Sequence, residues 1–230
     1  MSTLILRLAA PMQAWGSDSK YNYRTTGREP TKSGVLGMLA AALGCRRDDR
    51  EEIAKLSSLG FGVRVDREGK VIRDYQTACA RKKDVLMTYG ELQEDRQSRG
   101  EVTLTYRDYL CDAVFVVGLE GPKAYLETLQ EALHYPVYPL FLGRRSCPPT
   151  GPVCLGIREE GLEEVLRSLP LQISTRFPGS VRLILEGGPG SIQDVPISYS
   201  PMKREFGFRS IREEIIRFPG EEDHDPMAEL

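Results

Sequence analysis

The chain has 230 residues, a formal net charge of −2 and an apolar fraction of 40%. This length and apolar content suit one large domain with a real core, or one domain with an extension. The net charge excludes a uniformly basic surface of the kind that binds nucleic acid without preference. The longest strongly apolar run, residues 34–44, is shorter than the roughly 20 residues that cross a bilayer, so we expect no membrane partner.

Charge is unevenly distributed along the chain. Residues 1–47 contain seven Lys or Arg and two acids, whereas residues 220–230 contain five acids and no Lys or Arg. A local basic surface with a detached acidic tail fits a polyanionic partner. A soluble, evenly decorated surface is the alternative interpretation of the same composition.

Residue types that support catalysis or metal binding are scarce. The five cysteines lack Cys-x-x-Cys spacing, which indicates a reducing compartment and no zinc site. The chain has only two histidines, His134 and His224, so a Ser-His-Asp or Cys-His catalytic site has few candidate residues. No P-loop or dinucleotide-binding motif and no signal-peptide layout is present. The sequence therefore predicts a cytoplasmic binding protein without metal or cofactor.

The first predicted elements are a strand, a turn and an apolar helix. Residues 4–9 alternate weakly as a buried strand, and the turn PMQAWG at residues 11–16 carries Gln13 and Trp15. Trp15 is either a packing anchor or a stacking platform for a base. The helix that follows has a predicted N-cap at Thr31 or Ser33. Its apolar residues recur at helical spacing, and they are Val35, Leu36, Leu39, Ala40 and Leu43.

The junction between the basic loop and this helix is a candidate phosphate site. The segment is RTTGREPTKSGVLGMLAAAL, residues 24–43. A helix N-terminus offers free N–H groups and the positive end of the helix dipole, both of which favour a phosphate. An ordinary capped core helix with solvated cations is the alternative. The residues expected to contact phosphate here are Arg24, Arg28, Lys32, Ser33 and Gly34.

A charged arm interrupts the next strands. Residues 60–65 and 70–75 predict two strands joined in a hairpin by the turn at residues 66–69. Residues 77–100 have little apolar periodicity, and strand-like flanks on both sides predict an extended hairpin arm. An arm with an apolar tip can wedge between bases or dock on a neighbouring subunit, and an insertion without a role is the third possibility. Its cations are Arg81, Lys82 and Lys83.

Two further segments carry candidate site residues. In YRDYLCDA, residues 106–113, Arg107 either points into a groove or pairs with Asp108 or Asp112. In FLGRRSCPPTGP, residues 141–152, glycine and three prolines predict a rigid loop that displays Arg144 and Arg145. Adjacent arginines suit backbone phosphates, although they also form surface salt bridges.

The element order predicts an α+β fold with a ferredoxin-like core. We expect the core in residues 1–157, with a thumb arm at 77–110, and a β-rich extension in residues 158–230 that ends in the acidic tail at 220–230. Strands at 113–119 and 153–157 and helices at 121–134 and 159–169 complete the pattern. Closing strands are predicted at residues 181–186, 192–199 and 211–218, with a turn at 187–190.

Four strings in this order resemble one known family. They are PMQAWG (11–16), RTTGREPTKSGVLGML (24–39), YRDYLCDA (106–113) and FLGRRSCP (141–148). Together they resemble the Cas type-five RAMP subunits of type I-E CRISPR Cascade complexes. The resemblance covers residues 1 to about 157.

The resemblance implies a ferredoxin-like, RRM-like core with a protruding β-hairpin thumb and a non-catalytic role in antiviral defence. Members bind the 5′ handle of mature CRISPR RNA, cap the CasC backbone filament and help seat the large subunit CasA. They meet target DNA only indirectly, through the complex. Type I-C relatives instead cleave precursor CRISPR RNA without metal, which is the alternative function, and a generic interaction module is the third.

The resemblance also implies how the site residues divide the work. The basic loop and the first helix grip handle phosphates, Arg144 and Arg145 clamp the same strand, and the thumb separates handle from spacer. Gln13 and Trp15 border the groove. The full expected RNA-binding set is Gln13, Trp15, Arg24, Arg28, Lys32, Ser33, Gly34, Arg81, Lys82, Lys83, Arg107, Arg144 and Arg145.

Overall fold

A computed structural model describes residues 1–16, 22–79, 87–88, 91–92, 102–173 and 179–217. The predicted thumb cations Arg81, Lys82 and Lys83 and the acidic tail at 220–230 lie outside the described residues. The helices are α1 (Lys32–Leu43), α2 (Arg50–Ser57), α3 (Lys123–His134) and α4 (Leu162–Ser168). The strands are β1 (Ser2–Ala9), β2 (Met12–Gln13), β3 (Tyr23–Arg24), β4 (Gly60–Arg67), β5 (Lys70–Cys79), β6 (Met87–Thr88), β7 (Glu91–Leu92), β8 (Val102–Cys111), β9 (Val114–Gly121), β10 (Cys154–Arg158), β11 (Ser180–Ser198) and β12 (Glu205–Arg217).

A six-stranded antiparallel sheet organises the core in the order β10-β1-β9-β4-β11-β12. Successive side chains of a strand point to opposite faces. Leu4, Leu6 and Leu8 of β1 therefore join the large core beneath α1 and α3, whereas Ile5 joins a smaller core beneath α4. The predicted α+β class is confirmed. None of the helices in the described ranges is long and apolar enough to cross a membrane.

Helix α1 begins where its sequence predicts. The Thr31 hydroxyl accepts a hydrogen bond from the Gly34 N–H at 3.2 Å, which confirms Thr31 as the N-cap. The helix ends at Gly44, whose φ of +76° is a left-handed conformation that glycine adopts without strain. Asp49 caps α2 in the same manner, through the Glu52 N–H.

A second sheet, which we call the thumb sheet, consists of β8 with β2, β3 and β5. β5 pairs with β8 in an antiparallel hairpin, so the segments on both sides of residues 80–101 are strands, as expected. The thumb arm at 77–110 stays a prediction. The predicted hairpin between residues 60–65 and 70–75 is wrong, because β4 pairs with β9 and β11 instead. Arg64 and Asp66 form a buried ion pair at 2.6 Å where the chain leaves the core sheet, so the expected turn is a switch between sheets.

The C-terminal strands close the core sheet and extend beyond it. The predicted turn at residues 187–190 is instead an irregularity inside one long strand, since β11 pairs with β12 on both sides of it. The outer half of this hairpin packs on α1 and α2. The Ser57 hydroxyl donates to the Pro196 carbonyl at 2.6 Å, and the Tyr199 hydroxyl donates to the Ser33 carbonyl at 2.6 Å.

Candidate nucleic-acid interface

Trp15 and Gln13 form the buried anchor of the candidate site. The Trp15 side chain is only 1% exposed, and its indole N–H donates to Gln13 Oε1 at 3.0 Å. Gln13 Nε2 donates in turn to the Ala113 carbonyl at 2.8 Å. The Trp15 ring lies so close to Gly34 that a Cβ there would come within 3.0 Å of the ring. The packing interpretation of Trp15 therefore applies, and neither side chain is open to RNA.

The backbone of residues 14–15 holds two basic loops side by side. In the first loop, the Thr26 hydroxyl accepts from the Trp15 N–H at 2.8 Å, and the Gly27 N–H donates to the Trp15 carbonyl at 2.5 Å. Arg28 follows directly and is exposed. The neighbouring acid, Glu29, pairs with Arg182 at 3.3 Å.

The second loop, residues 141–148, is held by a glycine contact. Gly143 has a φ of +88°, and a Cβ on it would lie 1.7 Å from the Ala14 carbonyl oxygen. The Ala14 N–H donates to the Leu142 carbonyl at 3.1 Å, and the Leu142 N–H donates to the Cys147 carbonyl at 2.8 Å. Arg144 and Arg145 therefore project from a loop that has little freedom to move.

Arg144 bridges a gap in the thumb sheet. β8 pairs with β2 at residues 110–111 and with β3 at residues 106–107. Between these pairings, the Arg144 guanidinium donates to the Asp108 carbonyl at 3.1 Å and to the Arg24 carbonyl at 2.9 Å. It also lies 4.7 Å from the centre of the Tyr109 ring. Arg144 thus ties the loop at residues 141–148 to the edge of the sheet.

Arg107 lies beside Arg24 on this same face. The parallel β3–β8 register pairs Arg24 with Arg107, and paired residues share a face. Asp108, a partner considered for Arg107, points to the other face and binds Arg73 at 2.8 and 3.1 Å. The hydrogen bonds from Arg73 hold the pKa of the Asp108 carboxyl below its usual range.

We define the arginine cluster as the five arginines that these loops and β8 bring together. Three segments that are distant in the sequence contribute to it, around the anchor at residues 14–15. Arg28 and Arg145 are the exposed members, and the other three are partly buried. The members are Arg24, Arg28, Arg107, Arg144 and Arg145.

The structure gives Lys32 and the N-terminus of α1 other partners than phosphate. Lys32 is 3% exposed, and its ammonium donates to the Leu59 carbonyl at 2.7 Å and to Glu186 Oε1 at 2.8 Å. Its backbone N–H donates to Asp194 Oδ2 at 2.7 Å, and Arg209 holds that carboxylate at 2.7 and 2.9 Å. An internal carboxylate therefore occupies the positive end of the helix.

The polar groups of Ser33 and Gly34 likewise make contacts at the start of α1. The Gly34 N–H donates to Thr31, and the Ser33 hydroxyl lies 3.4 Å from the same Thr31 oxygen. We leave Gln13, Trp15, Lys32, Ser33 and Gly34 out of the interface proposed below, because internal contacts use their polar groups or cover them.

Three tyrosines of the thumb sheet form a row that the sequence did not predict. Tyr23 of β3 stacks on Tyr106 of β8 with ring centres 4.8 Å apart and planes within 7°. Tyr75 of β5 lies 5.5 Å from Tyr106 on its other side. The available signal is a Tyr-Arg dipeptide that occurs at residues 23–24 and again at 106–107. In a strand, that dipeptide places a ring and a guanidinium on opposite faces.

The arrangement offers binding groups and little acid–base or metal chemistry. Burial raises the pKa of the Cys147 thiol, so this cysteine beside the arginines stays protonated and is a poor nucleophile. Within the described ranges, no group of three or more His, Cys, Asp or Glu could hold a metal ion. His134 lies at the end of α3 and lines a cavity of about 440 Å³ together with Tyr135, Glu127 and Glu131.

The chain resembles known proteins both in sequence and in fold. The model of the family described as CRISPR-associated protein (Cas_Cas5) matches residues 3–212, a range that includes the whole arginine cluster. The chain is 43% identical over 160 residues to the CRISPR system Cascade subunit CasD of Escherichia coli (strain K12), a match covering 67% of this chain and 70% of the relative.

Two solved structures match nearly the whole chain. One is described as the crystal structure of a Cas protein, with a TM-score of 0.72, 36% identity, and coverage of 94% of this chain and 95% of the other. The second is described as a CRISPR RNA-guided surveillance complex, with a TM-score of 0.78, 34% identity, and coverage of 94% and 91%. Both identities and both TM-scores support likeness of sequence and fold together.

Proposed function

Because the chain belongs to the CRISPR-associated Cas_Cas5 family, we propose that it is a non-catalytic subunit of a Cascade-type surveillance complex and that its arginine cluster binds the 5′ handle of CRISPR RNA. A relative that is named as a Cascade subunit and a structural match described as an RNA-guided surveillance complex support this assignment. The Cascade assembly supplies the partners, and the chain supplies one RNA-binding surface.

One observation carries the RNA-binding proposal. Two loops and one strand are tied to the same buried anchor, so that Arg24, Arg107 and Arg144 keep fixed positions while Arg28 and Arg145 extend into solvent. Guanidinium groups bind phosphate oxygens with strong, directional hydrogen bonds. Five guanidinium groups from three segments can contact successive phosphates of one RNA strand.

We infer further that β1, α1, β4, β9, α3 and β10 form a ferredoxin-like βαββαβ core. The element order and the sheet order β10-β1-β9-β4 support this inference. The β5–β8 hairpin projects from between β4 and β9, which is a suitable position for a thumb. We propose that the thumb contacts the CasC backbone subunit and that the protein helps seat CasA. The phosphate roles of Arg81, Lys82 and Lys83 stay predictions.

The alternative, metal-independent cleavage of precursor CRISPR RNA, has weaker support. It requires His134 near a tyrosine, a lysine and the RNA. Tyr135 does lie beside His134, but Glu127 and Glu131 line the same cavity and repel phosphate. Helix α3 packs on α1, β1 and β10. We therefore propose that another subunit performs the cutting.

Charge reversal of the two exposed arginines tests the RNA-binding proposal. We expect the full chain with Arg28→Glu and Arg145→Glu to bind a labelled handle-bearing CRISPR RNA at least about tenfold more weakly, because each contact to a charged group contributes about 1.5–3 kcal/mol. The slope of log K against log salt should become shallower by about 0.7 for each phosphate contact that is lost. Fluorescence anisotropy over a salt series in EDTA measures both quantities.

A matched control separates a local contact from a change of net charge. Arg47 and Arg158 are also exposed, and neither belongs to the arginine cluster. Arg47→Glu with Arg158→Glu makes the same charge change elsewhere and should lower RNA affinity much less. Equal losses in the two double variants would contradict a defined arginine site. Unchanged affinity in both would favour a generic interaction module.

A further inference from the structure

The tyrosine row is a continuous aromatic surface across three strands. We define it by Tyr23, Tyr106 and Tyr75, in the order in which the rings lie. The Tyr23 and Tyr106 planes are nearly parallel at 7°, and the Tyr75 ring is tilted by 57°. Stacked and tilted ring pairs attract each other beyond the effect of their burial. The row is therefore a fixed feature of the sheet.

The ends of this row are open. Tyr23 is 54% exposed and Tyr75 is 55% exposed. Tyr106 covers one side of the Tyr23 ring, so the exposed half of Tyr23 is largely the opposite side. β3 is the edge strand of its sheet among the described residues, so no further described strand covers that side. An aromatic face at a sheet edge can accept one more flat ring.

The charges around the tyrosine row suit a base. Arg73 and Asp108 lie on the same face, and they neutralise each other through two hydrogen bonds. The other described side chains of β5 and β8 on that face carry no charge, and they include Val71, Thr77 and Leu104. A strongly acidic peptide or a free phosphate would find no cation there without a partner, whereas an uncharged base meets no repulsion.

We propose that the tyrosine row stacks one base of single-stranded RNA on the outer face of Tyr23. The proposal deepens the proposed function and rests on it, since the same RNA strand supplies the phosphates for the arginine cluster. Tyr23 precedes Arg24 on the narrow edge strand β3, and the two side chains lie on opposite faces. A strand that passes round this edge keeps a phosphate at Arg24 and places an adjacent base on Tyr23. Bases stack on aromatic side chains without need for a particular sequence.

The test combines affinity with a fluorescent base. The probe is a set of handle-bearing RNAs, each with 2-aminopurine at one handle position, whose fluorescence falls when the base stacks. With the full wild-type chain, we expect strong quenching at one position. The variant Tyr23→Leu keeps apolar bulk and loses the ring face, so it should remove that quenching and weaken binding by about tenfold or more. Its salt slope should stay unchanged, because no phosphate contact is lost.

Control variants isolate the ring. Tyr138→Leu changes a tyrosine of nearly the same exposure, 55% against 54% for Tyr23, that lies after α3, and it should alter neither quenching nor affinity. Tyr23→Trp should retain both, because the larger ring stacks at least as well. An abasic nucleotide at the quenched position should weaken wild-type binding but cause no further loss with Tyr23→Leu.

Three results would overturn the stacking proposal, and they differ in what they say of the proposed function. If Tyr23→Leu changes neither quenching nor affinity while Arg28→Glu with Arg145→Glu still lowers the salt slope, stacking is wrong and the arginine site stands. If Tyr23→Leu leaves RNA binding intact and weakens association with the purified backbone subunit, the row is a protein contact. If the wild-type chain binds no handle RNA, both proposals fail.

Discussion

Gly143→Ala is expected to lower both the stability of the protein and its RNA affinity. An alanine Cβ would lie 1.7 Å from the Ala14 carbonyl oxygen, which is far inside contact distance, and φ is +88° there. The loop at residues 141–148 must then move away from residues 14–15. We expect the free energy of unfolding to fall by about 3–5 kcal/mol, at the upper end for single substitutions. Urea unfolding and anisotropy with handle RNA measure the two effects.

Gly151 provides the matched control for this substitution. Its φ is +75°, so its backbone is left-handed like that of Gly143. A Cβ on Gly151 would meet only Arg7 Nη1, at 3.6 Å. Gly151→Ala therefore incurs the backbone strain alone, about 1–2 kcal/mol. RNA affinity should fall at least tenfold with Gly143→Ala and stay nearly constant with Gly151→Ala. Equal losses of stability in the two variants would show that the contact with Ala14 does not hold the loop.

Asp194→Ala is the second substitution with a large expected effect. Asp194 is 3% exposed, accepts from the Lys32 N–H at the start of α1 and pairs with Arg209. Its removal leaves a buried guanidinium without its carboxylate and a helix N–H without an acceptor. Breaking a buried ion pair from one side costs about 3–5 kcal/mol. We expect that loss in urea unfolding, with the salt slope of RNA binding unchanged because Asp194 lies outside the arginine cluster.

Two further variants make this expectation specific. Asp48→Ala breaks an exposed pair with Arg46, whose atoms are 3.5 Å apart, and should cost less than about 1 kcal/mol. Adding Arg209→Met to Asp194→Ala removes the stranded charge and should restore part of the lost stability. A salt slope that becomes shallower in Asp194→Ala would instead indicate that the N-terminus of α1 contributes to the RNA site.

Local sequence signals predicted the positions of helices and strands better than they predicted which strands pair with each other. Helical spacing after Thr31 and alternation along β1 reflect interactions between near neighbours, and both predictions are confirmed. The prediction of a hairpin between β4 and β5 is wrong for a physical reason. A turn signal marks a change of direction, but it does not say whether the next strand returns to the same sheet, and the Arg64–Asp66 pair is buried where the chain leaves that sheet.

The candidate site was predicted only in part for a similar reason. The exposed position of Arg28 and Arg145 follows from their loops. Lys32 was expected at phosphate because it precedes a helix, but its partner Glu186 is 154 residues away and no local pattern reveals it. The tyrosine row likewise depends on the parallel register of β3 with β8, which only the folded sheet defines.

Photocrosslinking tests the central claim most directly. A set of handle-bearing CRISPR RNAs, each with 4-thiouridine at one handle position, would be irradiated with the full chain, and the linked peptides identified by mass spectrometry. Crosslinks to residues 22–31 and 141–148, competed by unlabelled handle RNA, are the predicted result. Crosslinks confined to α3 and residues 135–138, with the two loops unlabelled, would contradict the arginine cluster as the handle-binding site.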